Sequence, residues 1–87
     1  MRPLNYAILK LFEKGSEIDV QGVIAQLEKD YSSFRAFKPK AVNESLMSAE
    51  KNGLLEECNW ELDDSGDLHV YYKATEYGLD MIKGYIK

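Results

Sequence analysis

Residues 41–78 read AVNESLMSAEKNGLLEECNWELDDSGDLHVYYKATEYG, and this stretch decides the fold. Its apolar residues recur at helical spacing as far as Ala49, and Asn52-Gly53 is a typical helix end because glycine readily adopts a left-handed conformation. From Leu55 the apolar period changes to two, and residues 63–67 supply the polar and glycine residues of a turn. Thr75 then matches the N-cap of a new helix. The stretch therefore predicts a helix end, a β-hairpin and a helix start.

The sequence before the hairpin predicts three helices. They cover about residues 3–14, 19–31 and 39–52. Pro3 and Pro39 suit first helical turns, Gly15 suits the position after a last turn, and Asp19 suits an N-cap. The element order is helix, helix, helix, strand, strand, helix. This order predicts a mainly α-helical fold with a β-hairpin (α+β), namely a winged helix-turn-helix in which the hairpin is the wing.

Alternation within the hairpin predicts its strand register. The predicted pairs on the inner face are Leu62–Leu68, Trp60–Val70 and Cys58–Tyr72. Those on the outer face are Glu61–His69 and Glu57–Lys73. Both faces then gain compatible cross-strand neighbours, which favours this register. The single histidine is accordingly predicted to be a surface residue beside Glu61, with no role as a general base.

Composition limits the other classes of protein. The 87 residues are 45% hydrophobic, which predicts one packed domain over residues 1–87. One cysteine excludes an internal disulfide and a cysteine zinc cluster, and no apolar run reaches the roughly 20 residues of a membrane helix. No phosphate-binding loop or catalytic set is visible. We therefore expect a cytoplasmic protein that is not an enzyme and has no metal, cofactor or membrane contact.

Charge is distributed unevenly along the chain. The net charge is −4, yet residues 55–73 hold six acidic side chains against the single base Lys73. Residues 1–54 hold eight basic and seven acidic side chains, a balance of +1. The predicted wing is thus strongly acidic, and a surface of that sign repels nucleic-acid phosphates.

The third helix is the candidate nucleic-acid surface. Lys40, Asn43, Ser48 and Lys51 are the small polar and basic residues that a helix needs in a major groove. Arg35 and Lys38 lie with Lys40 at the helix start, where the helix dipole favours a phosphate. The same residues also fit an ordinary solvated helix face and a polar loop, and their identity alone does not choose between these interpretations.

Two segments resemble PadR-like transcriptional regulators, a group of bacterial winged-helix proteins. They are the helix end Ala49-Glu50-Lys51-Asn52-Gly53-Leu54-Leu55-Glu56 and the later stretch from Tyr71 to Gly78, read as YYKATEYG. The opening residues 6–10 resemble the first helix of PadR-like proteins, and they are also similar to small uncharacterised bacterial winged-helix proteins. The resemblance implies a regulator that binds double-stranded DNA through Arg35, Lys38, Lys40, Asn43, Ser48 and Lys51. The acidic wing and the short segment after Thr75 depart from the PadR-like pattern.

A protein-interaction module on the same scaffold is the alternative function. Its binding surface would be the acidic hairpin (55–73) together with Tyr71, Tyr77 and Tyr85, offered to a basic protein partner without DNA binding. Tyrosines of this kind are enriched at interfaces. For the DNA-binding regulator, a homodimer through the terminal helices is expected.

Overall fold

The computed structural model describes residues 2–86, which form four helices and two strands. The elements are α1 (Leu4–Lys10), α2 (Val20–Tyr31), α3 (Pro39–Lys51), β1 (Leu55–Leu62), β2 (Leu68–Ala74) and α4 (Glu76–Tyr85). The predicted order and the α+β class are confirmed. Within this described range, every helix is too short or too polar to cross a bilayer.

Local capping fixes the helix boundaries. The Asp19 side chain accepts a hydrogen bond from the Gly22 N–H at 2.8 Å and caps α2. Thr75 Oγ1 accepts one from the Gly78 N–H at 2.9 Å and caps α4. Gly53 follows α3 with a φ of 78°, in the left-handed region where glycine is favoured. The caps predicted from the sequence are therefore confirmed.

The first helix is shorter than the predicted range of 3–14. It ends at Lys10, and residues 11–14 form turns in which the N–H groups of Leu11, Phe12 and Glu13 bond to the carbonyl three residues earlier. This tighter pattern is common at helix ends. Gly15, with a φ of 80°, ends the segment as predicted.

One apolar core joins all four helices to the base of the hairpin. Its most buried large side chains are Phe12, Ile8, Leu46, Leu55, Ile82, Val23 and Val42. The Lys10 ammonium group also donates a hydrogen bond to the carbonyl of Ile86 at 3.1 Å, which ties the end of α1 to the end of α4. The terminal helices are therefore neighbours.

The strand register is partly as predicted. Three pairs near the turn form as predicted, namely Leu62–Leu68, Glu61–His69 and Trp60–Val70. A β-bulge between Glu57 and Asn59 shifts the pairs nearer the base of the hairpin. Tyr72 pairs with Glu57, and Lys73 with Glu56, so the predicted pairs Cys58–Tyr72 and Glu57–Lys73 are wrong. The extra residue lets Leu55 share a face with Trp60 and enter the core, where it is 1% exposed.

Only the base of the hairpin contacts the core. β2 bonds on its other side to Ile18, through N–H···O contacts of 2.9 Å in both directions between Ile18 and Tyr72. Trp60, Leu62 and Leu68, predicted to face inward, are 58%, 68% and 59% exposed. The prediction of their common face is right, but the far half of the hairpin extends past the core that was expected to cover them.

Candidate nucleic-acid interface

The segment between α2 and α3 is anchored by aromatic side chains. The ring of Tyr31 meets Phe34 edge-on at a centroid distance of 4.9 Å and lies 6.5 Å from the ring of Phe37. These contacts hold the connection against the end of α2. Arg35 and Lys38, which lie between and after the two phenylalanines, are exposed to solvent. The connection therefore carries two basic side chains directly before α3.

Helix α3 has one buried face and an outward stripe opposite it. Val42, Leu46 and Ala49 are buried. At roughly 100° per residue, the side chains about 180° from this face are those of Lys40, Glu44, Met47 and Lys51. All four are exposed. We call them the outer stripe of α3.

Two predicted base-reading residues lie on opposite flanks of this stripe. Asn43 and Ser48 are five positions apart, which separates them by about 140° around the helix axis. Asn43 faces a groove between α3, the start of α2 and the hairpin. That groove is lined by Asp19, Val20, Gln21, Asn43, Asp63, Asp67, Leu68, His69 and Val70. Ser48 instead lines a groove between α3 and α1, which Ser45 bridges by donating to Asn5 Oδ1 at 3.0 Å.

Basic residues mark both ends of α3. Lys40 and Lys51 are eleven positions apart, which is about 16 Å along the helix axis at 1.5 Å per residue. Glu44 and Met47 lie between them, and Asn43 Nδ2 donates to the sulfur of Met47 at 3.5 Å. Arg35 and Lys38 add further positive charge at the N-terminal end only. The structure therefore brings Arg35, Lys38 and Lys40 to one end of α3 and leaves Lys51 at the other.

The tip of the hairpin is a turn organised by one carboxylate. Asp63 Oδ1 accepts hydrogen bonds from the backbone N–H groups of Ser65 and Asp67, both at 2.9 Å. This is an Asx-type turn, and it lies over residues 63–67, where the sequence predicts a turn. Among residues 2–86, no group of three or more histidine, cysteine, aspartate and glutamate side chains is arranged to hold a metal ion.

Solved structures share this fold. PadR of Bacillus subtilis, solved in complex with operator DNA, aligns with a TM-score of 0.77 at 19% identity over 97% of this chain and 46% of its own. A PadR-like transcriptional regulator from Bacillus cereus aligns with a TM-score of 0.68 at 21% identity over 92% of this chain and 74% of its own. The fold is a winged helix. No protein-family model and no curated protein matches the sequence.

The hairpin is thus the wing of a winged helix, and α3 is the helix that directly precedes it. The predicted resemblance to PadR-like proteins is confirmed for the fold. This winged helix spans just under half the length of the Bacillus subtilis protein. At identities near 20%, the similarity establishes the fold but not the roles of individual residues, which depend on this chain's own side chains.

The three tyrosines predicted to bind a partner lie on different parts of the winged helix. Tyr71 is half-buried on the wing, where its hydroxyl donates to Glu61 Oε1 at 3.5 Å. Its pKa is raised mainly by partial burial and secondly by the negative charge of Glu61. Tyr77 and Tyr85 belong to α4 and are 55% and 75% exposed. Tyr85 borders an apolar hollow of about 170 Å³ that Tyr6, Leu9, Leu54, Met81, Ile82 and Ile86 complete. The hollow therefore joins residues of both terminal helices, α1 and α4.

His69 is half-buried, which corrects the prediction of a surface histidine, while its cross-strand pairing with Glu61 is as predicted. Glu61 is its cross-strand neighbour, but the imidazole bonds to two other carboxylates. Nδ1 lies 2.9 Å from Asp19 Oδ2, and Nε2 lies 3.0 Å from Asp63 Oδ2. Asp19 is 50 residues away in sequence, so no local spacing signals this contact.

Proposed function

We propose that this chain is a winged-helix transcriptional regulator that binds double-stranded DNA with α3 in the major groove. The observation that carries the proposal is the outer stripe of α3, which is exposed along its whole length and has a lysine at each end. The Bacillus subtilis PadR structure contains operator DNA, which supports the same use of the fold here. Such a regulator would act in the cytoplasm.

The dimensions of α3 suit a major groove. The groove is about 12 Å wide, and Lys40 and Lys51 are about 16 Å apart along the axis, so flexible lysine side chains can reach phosphates on both sides of it. Glu44 and Met47 would then lie over the bases, where a carboxylate can accept from a cytosine amino group. Asn43 and Ser48 would contact bases only from the two flanks of the helix.

The start of α3 supplies the positioning contacts. Lys38 is the N-cap residue, and its side chain makes no capping hydrogen bond, so the first-turn N–H groups and the helix dipole favour an anion. Arg35, Lys38 and Lys40 add three exposed positive charges at the same end. Contacts of this kind fix register on the duplex without reading its sequence.

A pair of matched charge reversals tests this assignment. The double variant Lys38→Glu/Lys40→Glu should lose binding to random-sequence duplex DNA at low salt, measured by fluorescence anisotropy, while its circular dichroism spectrum stays unchanged. The control Lys29→Glu/Lys83→Glu makes the same change of charge at two exposed lysines on α2 and α4. It should retain most of the affinity. Equal losses in the two variants, or no binding by the wild type, would contradict the proposal.

The terminal helices support a homodimer. Tyr6 of α1 and Tyr85 of α4 are 51% and 75% exposed beside the apolar hollow, and aromatic residues around an exposed hollow are typical of an interface. Two copies meeting there would offer two recognition helices to one operator. A Tyr6→Ser/Tyr85→Ser variant should sediment as a monomer at concentrations where the wild type is a dimer. A monomeric wild type would exclude this interface.

Docking of a basic protein on the wing is the second candidate function. Trp60, Leu62 and Leu68 form an exposed apolar patch, and the surrounding wing carries a net charge of −5 over residues 55–73. Tryptophan in such a setting is a frequent hot spot of protein interfaces. Two results together would favour this function over the first. The wild type would not bind DNA at low salt, and it would bind a lysine- and leucine-rich amphipathic peptide that the Trp60→Ser variant does not bind.

A further inference from the structure

The single histidine of the chain lies between two carboxylates that each hold a different backbone element. Asp19 uses Oδ1 to cap α2 through the Gly22 N–H at 2.8 Å and turns Oδ2 to His69 Nδ1 at 2.9 Å. Asp63 uses Oδ1 to hold the N–H groups of Ser65 and Asp67 at the wing tip and turns Oδ2 to His69 Nε2 at 3.0 Å. We call this imidazole with its two carboxylates the His69 bridge.

The geometry of the His69 bridge requires an imidazolium. A neutral imidazole has one N–H and one lone pair, whereas an ionised carboxylate only accepts hydrogen bonds. With both ring nitrogens 2.9–3.0 Å from carboxylate oxygens, the neutral form would leave one lone pair facing another. Only the protonated ring donates to Asp19 and Asp63 together, and such charge-assisted bonds are the stronger kind.

Few other contacts hold the outer half of the wing. The backbone bonds between Ile18 and Tyr72 fasten the base of β2, three residues after His69 and nearer the core. Beyond that point Leu62 and Leu68 are 68% and 59% exposed and bury little apolar surface. A segment with few buried contacts opens at low free-energy cost. The His69 bridge is therefore the second attachment of the wing, and it acts directly on the tip.

We propose that the His69 bridge is a proton-dependent switch: the imidazolium fixes the wing against the N-terminus of α2, and loss of its proton releases the wing. The groups that face the imidazole are consistent with this role. They are Asp19 from α2, Asp63 and Asp67 from the turn, and Glu61 and Tyr71 from the same face of the wing. Gln21 of α2 and Asn43 of α3, which line the same groove, carry no charge.

The electrostatics agree with the geometry. The hydrogen bond to Asp63, and then the one to Asp19, raise the pKa of His69 above its usual value near 6.5. The bond to His69 is likewise the main cause that lowers the pKa of Asp63 below its usual 3.8. The His69 bridge is therefore complete at pH values between the folded pKa of Asp63 and the folded pKa of His69. It is lost as pH rises through the folded pKa of His69.

A titration of His69 by NMR tests the charge state without a second histidine to confuse the signal. We expect a midpoint clearly above 6.5, lowered by about one unit in Asp63→Asn, since a nearby opposite charge shifts a pKa by roughly 1–3 units. Asp64→Asn removes a carboxylate from the same turn that is not bonded to His69, and it should leave the midpoint within about 0.2 units. A wild-type midpoint at or below 6.5 would overturn the proposal.

Fluorescence of Trp60 tests the release of the wing. It is the only tryptophan of the chain, and it lies on the wing. Its anisotropy should fall as pH rises through the His69 midpoint, and His69→Gln should give the low value at all pH values between 5 and 8, where few other groups titrate. A high anisotropy in His69→Gln, or no step in the wild type, would refute the switch.

The consequence for DNA rests on the proposed function. A fixed wing, in which the imidazolium compensates the Asp63 charge, should bind duplex DNA more tightly than a released wing. The DNA affinity of the wild type should therefore fall as pH rises above the His69 midpoint. The DNA affinity of His69→Gln should not change over the same pH range. If the chain fails to bind DNA, the NMR and fluorescence results still decide the switch. If DNA binds but wild type and His69→Gln share one pH profile, the regulatory role is excluded.

Discussion

Gly78 in α4 allows a close approach to the backbone of Leu54, and replacing it with alanine is a strict test of that packing. A Cβ at this position would lie 1.9 Å from the carbonyl oxygen of Leu54, 2.8 Å from its carbonyl carbon and 3.1 Å from its Cα. These are backbone atoms, so no rotamer change relieves the clash. The Thr75 N–H bonds to the same oxygen at 3.0 Å. The N-terminus of α4 must therefore move away from Leu54.

The size of the effect follows from these contacts. To reach an ordinary contact of 3.4 Å from 1.9 Å, the two segments must separate by about 1.5 Å. Overpacking of this kind costs roughly 1–3 kcal/mol, and loss of the Thr75 bond adds about 1 kcal/mol. The higher helix propensity of alanine returns at most about 1 kcal/mol. We expect Gly78→Ala to lower the free energy of unfolding by about 1–3 kcal/mol, which is roughly 4–24 °C in Tm for a chain of this size.

Urea denaturation followed by circular dichroism measures the change, and Gly84→Ala is the matched control. Gly84 is in the same helix, and a Cβ there meets no atom within 4 Å. Gly84→Ala should therefore stabilise the protein by about 0.5–1 kcal/mol through helix propensity and a less disordered unfolded chain. A Gly78→Ala variant as stable as the wild type would contradict the close contact between α4 and the Leu54 backbone.

Two further predictions concern a cap and the pH dependence of stability. The Thr75 side chain accepts a hydrogen bond from the Gly78 N–H at 2.9 Å and donates one to the carbonyl of Gly53 at 2.6 Å. Thr75→Ala should therefore lower the free energy of unfolding by about 1–2 kcal/mol in the same assay. Thr75→Ser keeps the hydroxyl and should lower it by less than about 0.5 kcal/mol. Because folding raises the pKa of His69, its contribution to stability is fully present below about 6.5 and is lost as pH rises through the folded pKa. The stability gap between wild type and His69→Gln should therefore be wide at pH 6 and narrow at pH 9, and a constant gap would contradict the bridge.

The elements could be predicted from the sequence because their signals are local. Asp19 and Thr75 each bond to an N–H three residues ahead, and Gly53 takes the left-handed conformation at the residue after Asn52. A few neighbouring residues determine such interactions, so the sequence displays them directly. The third helix as a candidate recognition element follows from the same local order.

The register and the contacts of the wing depend on distant residues and could not be predicted in full. Alternation identifies the shared face of Trp60 and Leu62, but it carries no information on how far the core extends beneath them. The bulge near Cys58 is favoured because it brings Leu55 into a core built by other elements. The partners of His69 include Asp19, which the fold brings close across 50 residues.

The salt dependence of DNA binding tests directly whether α3 and its N-terminal end contact phosphates. If Arg35, Lys38, Lys40 and Lys51 each neutralise one phosphate, the slope of log K against log salt concentration is about −3.6 per bound chain. Lys40→Gln and Lys51→Gln should each reduce its magnitude by about 0.9, while Lys29→Gln on α2 should leave it unchanged. A slope that is unaffected by Lys40→Gln and Lys51→Gln, or reduced equally by Lys29→Gln, would contradict the claim that α3 is the DNA-binding helix.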